Sequence, residues 1–329
     1  MSTLLSPTSC QELAEAVRAS PSLLPVGAGT KPALSAPPPG TAALSLRGLT
    51  GMLEYEPDEF TFTARAGSTV QEIAAALAAH GQYLPFDPPF AAAGATLGGT
   101  VASGLSGPGR FRFGGVLDFI LGVRFVDGEG RLLRMGGKVV KNAAGFDLPK
   151  FFTGSAGRFG VMAEITMKVF PRHVSTRTLR LRCPGLTALV RTLTDVAATA
   201  WEPDALEASP ADTGVTFRFA GPADAVASLA GAALKVPVTP TRICALLDAL
   251  APMHEARVRL GNGGDVAWLS FAEPAVPLAL DETLRRLGLP AVTLRGGGPR
   301  WPGAPARPAI AAAVKRALDP HGRFPSCHD

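Results

Sequence analysis

The sequence predicts an α+β protein of two lobes, on three observations. Its 329 residues exceed what one ordinary hydrophobic core serves. The N-terminal half alternates helix-forming and strand-forming segments around Gly-rich loops, and the C-terminal half reads as short antiparallel strands with helices between them. Apolar residues make up 47% of the chain against 18% charged, enough for packed interiors and unlike a disordered chain.

Ser9-Cys10-Gln11-Glu12 has the spacing of a capping box, with Ser9 accepting a helix amide and Glu12 reaching back to the cap. It predicts a helix over 10–19, which Pro21 ends. "LLPV" then reads as a short buried strand leading into "GAGTKP". A strand followed by G-x-G raises a Rossmann turn. Pro32 and "APPPG" stand where that helix would continue, so the Rossmann reading fails. A loop of exposed amides suited to phosphate oxygens survives.

"GMLEYEPDEFTFTARAG" alternates apolar and polar residues on both sides of Pro57-Asp58 and predicts a β-hairpin. Thr69-Val70-Gln71-Glu72 is a second capping box, and its helix runs toward Gly81. In "GATLGGTVASGLSG" the small residues either bring backbone against a flat ligand or serve simple close packing. A second hairpin follows, with strands Ile120 to Val126 and Arg131 to Met135 around the turn Asp127-Gly128-Glu129-Gly130, and "GVMAEITMKVFP" supplies a closing strand. Between them, "KNAAGFDLPKFFTGSAGRFG" is a third Gly-rich loop.

Charge, cysteines and histidines narrow the function. The net charge of +5 comes from scattered basic residues without aromatic interleaving, which argues against nucleic acid and fits an acidic partner protein or an anionic ligand. Cys10, Cys183, Cys244 and Cys327 form no C-x-x-C pair, so neither an iron–sulfur cluster nor a structural zinc site is expected within this chain. His80, His173, His254, His321 and His328 include no H-x-x-H pair, and no metal site is expected. His254 with Glu255 beside it reads as a partly exposed helix histidine, and no catalytic residue is assigned. Without a signal-like N-terminus or an apolar run of about 18 residues, the chain is expected to be cytoplasmic, meeting the inner face of the cell membrane only through partners.

The segments "PVGAGTK", "PFDPPF…GATLGGTVASGLSGPGRFRFGG" and "KNAAGFDLPKFFTGSAGRFGVMAEITMKV" resemble, in order and spacing, the PCMH-type FAD-binding domain of vanillyl-alcohol-oxidase-type flavoproteins. Within that superfamily, "GLSGPGRFRFG" and "GGKVVKNAAGFDLPKFFTGS" are similar to the E-subunit family of bacterial glycolate oxidases. The resemblance is strong over about residues 20–172. It implies a PCMH-type domain of two α/β subdomains over 1–172, a smaller α+β cap over 173–305, and a C-terminal helix and tail over 306–329 returning toward the first domain.

The resemblance further implies noncovalent FAD, since covalent attachment in this superfamily uses a His or Cys of the phosphate-binding loops and neither occurs between His80 and His173. Gly27, Ala28, Gly29, Thr30 and Lys31 would hold phosphate. Asp87, Gly94, Thr96, Gly98, Gly99, Ser103, Gly104 and Ser106 would flank ribityl, phosphate and ring. Gly160, Val161, Glu164 and Ile165 would meet the adenosine end. Arg110, Arg112, Lys138 and Lys141 cluster around these loops, and Arg110 is the preferred cation for the flavin's edge. Phe324 is followed by Pro325-Ser326 where relatives carry Asn-Pro-Gly, which departs from the family pattern at the tail. The implied role is the FAD-binding subunit of a glycolate/D-lactate (2-hydroxy acid) dehydrogenase complex, beside a catalytic FAD subunit and an iron–sulfur subunit. A self-sufficient FAD-dependent oxidoreductase and a non-catalytic assembly scaffold are the alternatives.

Overall fold

The computed structural model describes residues 4–137, 147–197, 202–221, 241–252, 257–261, 266–270, 278–287, 289, 291 and 308–323. Near the N-terminus, β1 (Leu4–Leu5), β2 (Leu23–Val26) and β3 (Ala42–Ser45) form a parallel sheet in the order β1-β3-β2. Helix α1 (Cys10–Ala19) connects β1 to β2, and buries Leu13, Ala14 and Val17. Its cap differs from the predicted box. Ser9 accepts from the Glu12 amide as expected, but the Glu12 carboxylate turns to Thr8, taking its amide at 2.8 Å and its hydroxyl at 3.0 Å.

A five-stranded antiparallel sheet follows, built from β4 (Met52–Glu56), β5 (Thr61–Arg65), β7 (Ile120–Val126), β8 (Leu132–Gly136) and β9 (Val161–Lys168), in the order β4-β5-β9-β7-β8. Both predicted hairpins, β4–β5 and β7–β8, are present. The short β6 (Gln82–Tyr83) pairs with β10 (Phe170–Pro171). Helix α3 (Val70–Ala78) has the full capping box of Thr69 and Glu72 and packs Val70, Ile73 and Leu77 inward; the four-residue α2 (Pro32–Ser35) precedes it.

The stretch "LGGTVAS" is a helix, α4 (Leu97–Ser103), which composition hides because two glycines disfavour it by about 1 kcal/mol each. Tertiary contacts supply what propensity lacks. The Leu97 and Gly98 amides donate to the Ser68 and Ala66 carbonyls, both at 2.8 Å, and a side chain at Gly98 would strike the Ala66 Cβ at 2.9 Å. Short helices α5 (Arg110–Phe113) and α6 (Leu148–Phe151) complete the lobe. Its core runs from Leu13, Leu23 and Leu44 to Phe62, Phe86, Phe125, Phe152, Val161 and Ile165, all nearly inaccessible to solvent.

The second lobe holds an antiparallel sheet of β11 (Ser175–Arg182), β12 (Ala205–Ser209), β13 (Gly214–Gly221), β14 (Arg257–Gly261) and β15 (Val266–Ser270), ordered β11-β13-β12-β14-β15. Helices α7 (Leu186–Ala197), α8 (Thr241–Leu250) and α9 (Leu278–Arg286) accompany it. Its cores are separate from the first: Leu189, Leu193, Leu206, Val215 and Phe217 in one, Leu246, Leu250, Leu280 and Leu284 in another.

The final described helix, α10 (Pro308–Leu318), lies on the first lobe. Val314 and Leu318 pack against that lobe's core, Lys315 Nζ donates to the Arg158 carbonyl at 2.8 Å, and the Arg323 carbonyl accepts from the Leu23 amide at 2.9 Å beside β2.

Phe125 is fully buried, with its ring centroid 4.7 Å from that of Phe152. Phe125→Ala is expected to cost about 3–5 kcal/mol of first-lobe stability through lost burial and the cavity left behind. Urea denaturation followed by circular dichroism measures the loss.

Candidate functional site

Three loops meet at one place because their backbones lack side chains there. The first runs from the end of β2 through Gly27–Thr30. A Cβ on Gly27 would sit 2.3 Å from the Thr96 hydroxyl oxygen, so only glycine lets this loop reach the start of α4. The third loop closes from the other side: Gly154 and Ala156 donate their amides to the Val101 and Ala102 carbonyls at 3.0 and 2.8 Å, and Gly157 lies against Pro25 of β2.

The first loop presents its amides. Among the described residues, none of the backbone N–H groups of residues 27–31 donates to another protein group. Arg47 holds the Ala28 carbonyl at 3.1 Å. A trans peptide points its N–H opposite its C=O, so the Gly29 amide faces away from Arg47. Gly29 sits at φ +71° with open space where a side chain would be.

The amides of the second loop are spent differently. Gly98 donates to Ala66 as above, and Gly99 donates to the Thr96 hydroxyl at 3.2 Å, so these glycines serve packing and capping. Gly94, at φ +81°, faces open space. Ser103 donates to the Thr100 carbonyl, Gly104 lies against Gly154, and the Ser106 hydroxyl accepts from the Val116 amide at 2.9 Å.

Lys31 is the electrostatic feature of the junction. Its side chain is buried, with the residue only 6% exposed, yet Nζ has just the Thr30 hydroxyl at 3.1 Å and the Phe90 ring at 5.3 Å, and no carboxylate among the described residues. Burial pushes its pKa below the usual lysine value. Close to the converging loops, the hydroxyls of Thr100, Thr153 and Ser155 are buried without a protein partner among the described residues. A bare amide loop and a desolvated ammonium together match the donor set an anionic, phosphate-bearing group requires.

The other expected residues are placed as follows. Asp87, at φ +48°, accepts from the Gly109 amide at 2.8 Å and from Arg218 at 2.6 Å. Arg110 is exposed on α5 and has no ion pair among the described residues, whereas Arg112 is drawn to the second lobe by Glu202 at 2.9 Å and Asp204 at 3.6 Å. Gly160 abuts the Val126 carbonyl, and the Val161 and Ile165 side chains are fully buried in the core, leaving only their backbone to meet a ligand. Glu164 is paired with Arg124 at 2.8 Å and accepts from the Cys10 thiol, whose pKa is raised by burial and then by the Glu164 charge. Lys138, Lys141 and the "KNAAGF" segment lie outside the described residues, as do His254, Glu255 and His328. Thr100, Thr153, Ser155 and Arg47 escape sequence reasoning, because nothing in their neighbours' spacing signals which hydroxyl is buried.

Among the described residues no group of three or more His, Cys, Asp or Glu is arranged to hold a metal ion, and no helix is long and apolar enough to cross a membrane.

Comparison with known proteins shows which families carry similar sequence. The FAD binding domain family matches residues 2–136, which contain the first loop, the second loop and α5. Over this region the chain is similar to FAD-binding domains. The chain is 46% identical over 154 residues to the glycolate oxidase subunit GlcE of Escherichia coli strain K12, covering 47% of this chain and 44% of that protein. It is 28% identical over 186 residues to the glycolate oxidase subunit GlcD of Bacillus subtilis strain 168, covering 56% and 39%. It is 29% identical over 145 residues to a D-lactate dehydrogenase of Archaeoglobus fulgidus, covering 44% and 32%. These matches span less than half the length of each curated relative. Among solved structures, an alkyldihydroxyacetonephosphate synthase aligns with a TM-score of 0.55 at 18% identity, covering 79% of this chain and 51% of that one, which shows a shared α+β fold.

The buried Lys31 charge has a measurable signature. Its pKa is lower folded than unfolded, so between those two values the unfolded chain holds more protons and stability rises with pH. Lys31→Met is expected to be at least as stable as wild type without flavin at neutral pH, with its advantage shrinking as pH rises toward about 10.5. Denaturation of both proteins across alkaline pH tests this, and a difference independent of pH contradicts it.

Proposed function

We propose that the chain is the FAD-binding subunit of a 2-hydroxy-acid dehydrogenase complex acting on glycolate or D-lactate, relaying electrons between a catalytic flavoprotein subunit and an iron–sulfur subunit. The observation that carries the flavin part is the buried Lys31 ammonium beside the unspent amides of residues 27–31. That set suits a pyrophosphate, which brings two negative charges and needs several convergent donors. The substrate class rests on similarity to the glycolate oxidase subunits and the D-lactate dehydrogenase.

In this reading Gly27, Ala28, Gly29, Thr30 and Lys31 hold the pyrophosphate. Gly94, Thr96, Ser103, Gly104 and Ser106 shape the wall toward the ring. The backbone at Gly160 and Val161 borders the adenosine end. Bound flavin would supply hydride acceptance and one-electron transfer. Arg110, exposed and without an acidic partner among the described residues, is our candidate for the cation that favours added negative charge on the ring.

The accessory role rests on the sequence. It contains no paired-histidine motif of the kind that orients a 2-hydroxy acid through a metal in related dehydrogenases, and no C-x-x-C pair to carry a cluster. Oxidation of the acid and onward electron transfer therefore fall to other proteins.

The flavin-loaded chain alone is expected to reduce an artificial dye with glycolate or D-lactate at least about a hundredfold more slowly than the co-expressed complex, a loss in the range that removing general acid–base catalysis produces. Acid precipitation should release all the flavin to the supernatant. Rapid turnover by the isolated chain would overturn the accessory reading in favour of a self-sufficient enzyme, and colour retained in the pellet would overturn noncovalent binding.

A further inference from the structure

We propose that Arg218, on the second lobe, is a positioning residue that couples docking of that lobe to the flavin loops of the first, an inference that rests on the flavin reading above. Arg218 lies on β13, 131 residues from Asp87 in sequence, and its guanidinium meets the Asp87 carboxylate at 2.6 Å. The same carboxylate oxygen accepts from the Gly109 amide at 2.8 Å. Asp87 is held at φ +48°, a left-handed conformation uncommon for non-glycine residues though most accessible to Asp and Asn.

The packing around Asp87 is visible on both sides. The Gly107 amide donates to the Phe86 carbonyl at 2.8 Å, a Cβ on Gly109 would lie 1.8 Å from the Pro85 carbonyl oxygen, and one on Gly107 would lie 2.3 Å from that of Asp87. Segments 85–87 and 107–109 are therefore clasped face to face. They bracket the second loop: everything from Gly94 to Ser106 lies between them.

The clasp closes on the second lobe's charge. Beyond it, α5 divides between the lobes: Phe111 packs against the second lobe's core, Arg112 pairs with Glu202 and Asp204, and Phe113 packs against Tyr83 and Phe170 of the first lobe and against His173, where the chain passes to the second. Loss of Arg218 leaves the half-buried Asp87 charge with the Gly109 amide alone and frees the bracket to open. Coupling of this kind is reciprocal, so whatever factor the docked second lobe adds to flavin affinity, flavin returns to docking.

The test uses the full chain. FAD affinity is measured by fluorescence titration for wild type, Arg218→Gln, Arg218→Lys, Asp87→Asn and the Asp87→Asn/Arg218→Gln double variant. Amide hydrogen exchange of β12 and β13 is followed with and without FAD, and thermal unfolding confirms that each variant folds. Arg218→Gln and Asp87→Asn are each expected to weaken FAD binding about tenfold. The double variant should lose no more than either single one, and Arg218→Lys should recover part of the loss. FAD should slow exchange in β12 and β13 of wild type and not of Arg218→Gln. Wild-type affinity in Arg218→Gln, additive losses in the double variant, or equal FAD-dependent protection in both proteins would overturn the inference. A wild-type chain that takes up no FAD would instead overturn the flavin reading beneath it.

Discussion

Side chains are excluded from the point where three loops meet, and the steric demand is severe: a Cβ on Gly27 would come within 2.3 Å of the Thr96 hydroxyl, and one on Gly104 within 3.1 Å of Gly154 backbone. Close approach of bare backbone has an electrostatic consequence. The first loop keeps its amides unspent, and Lys31 is buried among them without a counter-charge among the described residues. A lysine in that state costs folding free energy, which a bound anion would offset. The junction thus combines a desolvated charge with unspent donors, and it sits on the packed core of the first lobe.

That core explains how the loops stay in register. Strands β5, β9 and β7 are adjacent in one sheet, and α4 is fixed to the end of β5 by the Ala66 and Ser68 carbonyls. The first loop is anchored through β2, itself extended by the Arg323 carbonyl that follows α10. The second lobe contributes ionic contacts at Asp87 and Arg112. At the exposures seen here, Arg112–Glu202 is worth only about 0–1 kcal/mol, whereas the half-buried Asp87–Arg218 pair sits where a small free energy decides the conformation of a loop.

Sequence reading reached what local rules encode. The first hairpin followed from alternation around Pro57-Asp58, the second from a buried strand and the turn Asp127–Gly130, and the Thr69 capping box from its spacing to Glu72. At Ser9 the same spacing misled, because Thr8 offered Glu12 both an amide and a hydroxyl. Helix α4 was hidden since its stability comes from contacts with Ser68 and Ala66, far back in the sequence. The loops of the candidate site were legible as glycine clusters, but which amides were free was not: Gly98 and Gly99 look like Gly27 and Gly29 in sequence, and only the fold shows that their N–H groups are already used. Arg218 carried no signal at all, its meaning being a contact across 131 residues.

Competition binding probes the central claim, that the first loop and Lys31 recognise the pyrophosphate of FAD. The flavin-free chain would be titrated with FAD, and ADP and riboflavin then tested as competitors, ADP carrying the pyrophosphate and adenosine without the ring and riboflavin the ring without phosphate. Saturable one-to-one FAD binding displaced by ADP, and not by riboflavin at the same concentration, is the predicted result. Displacement by riboflavin with ADP inert would contradict the account, since the affinity would then reside in the ring pocket and not in the buried charge and bare amides of residues 27–31.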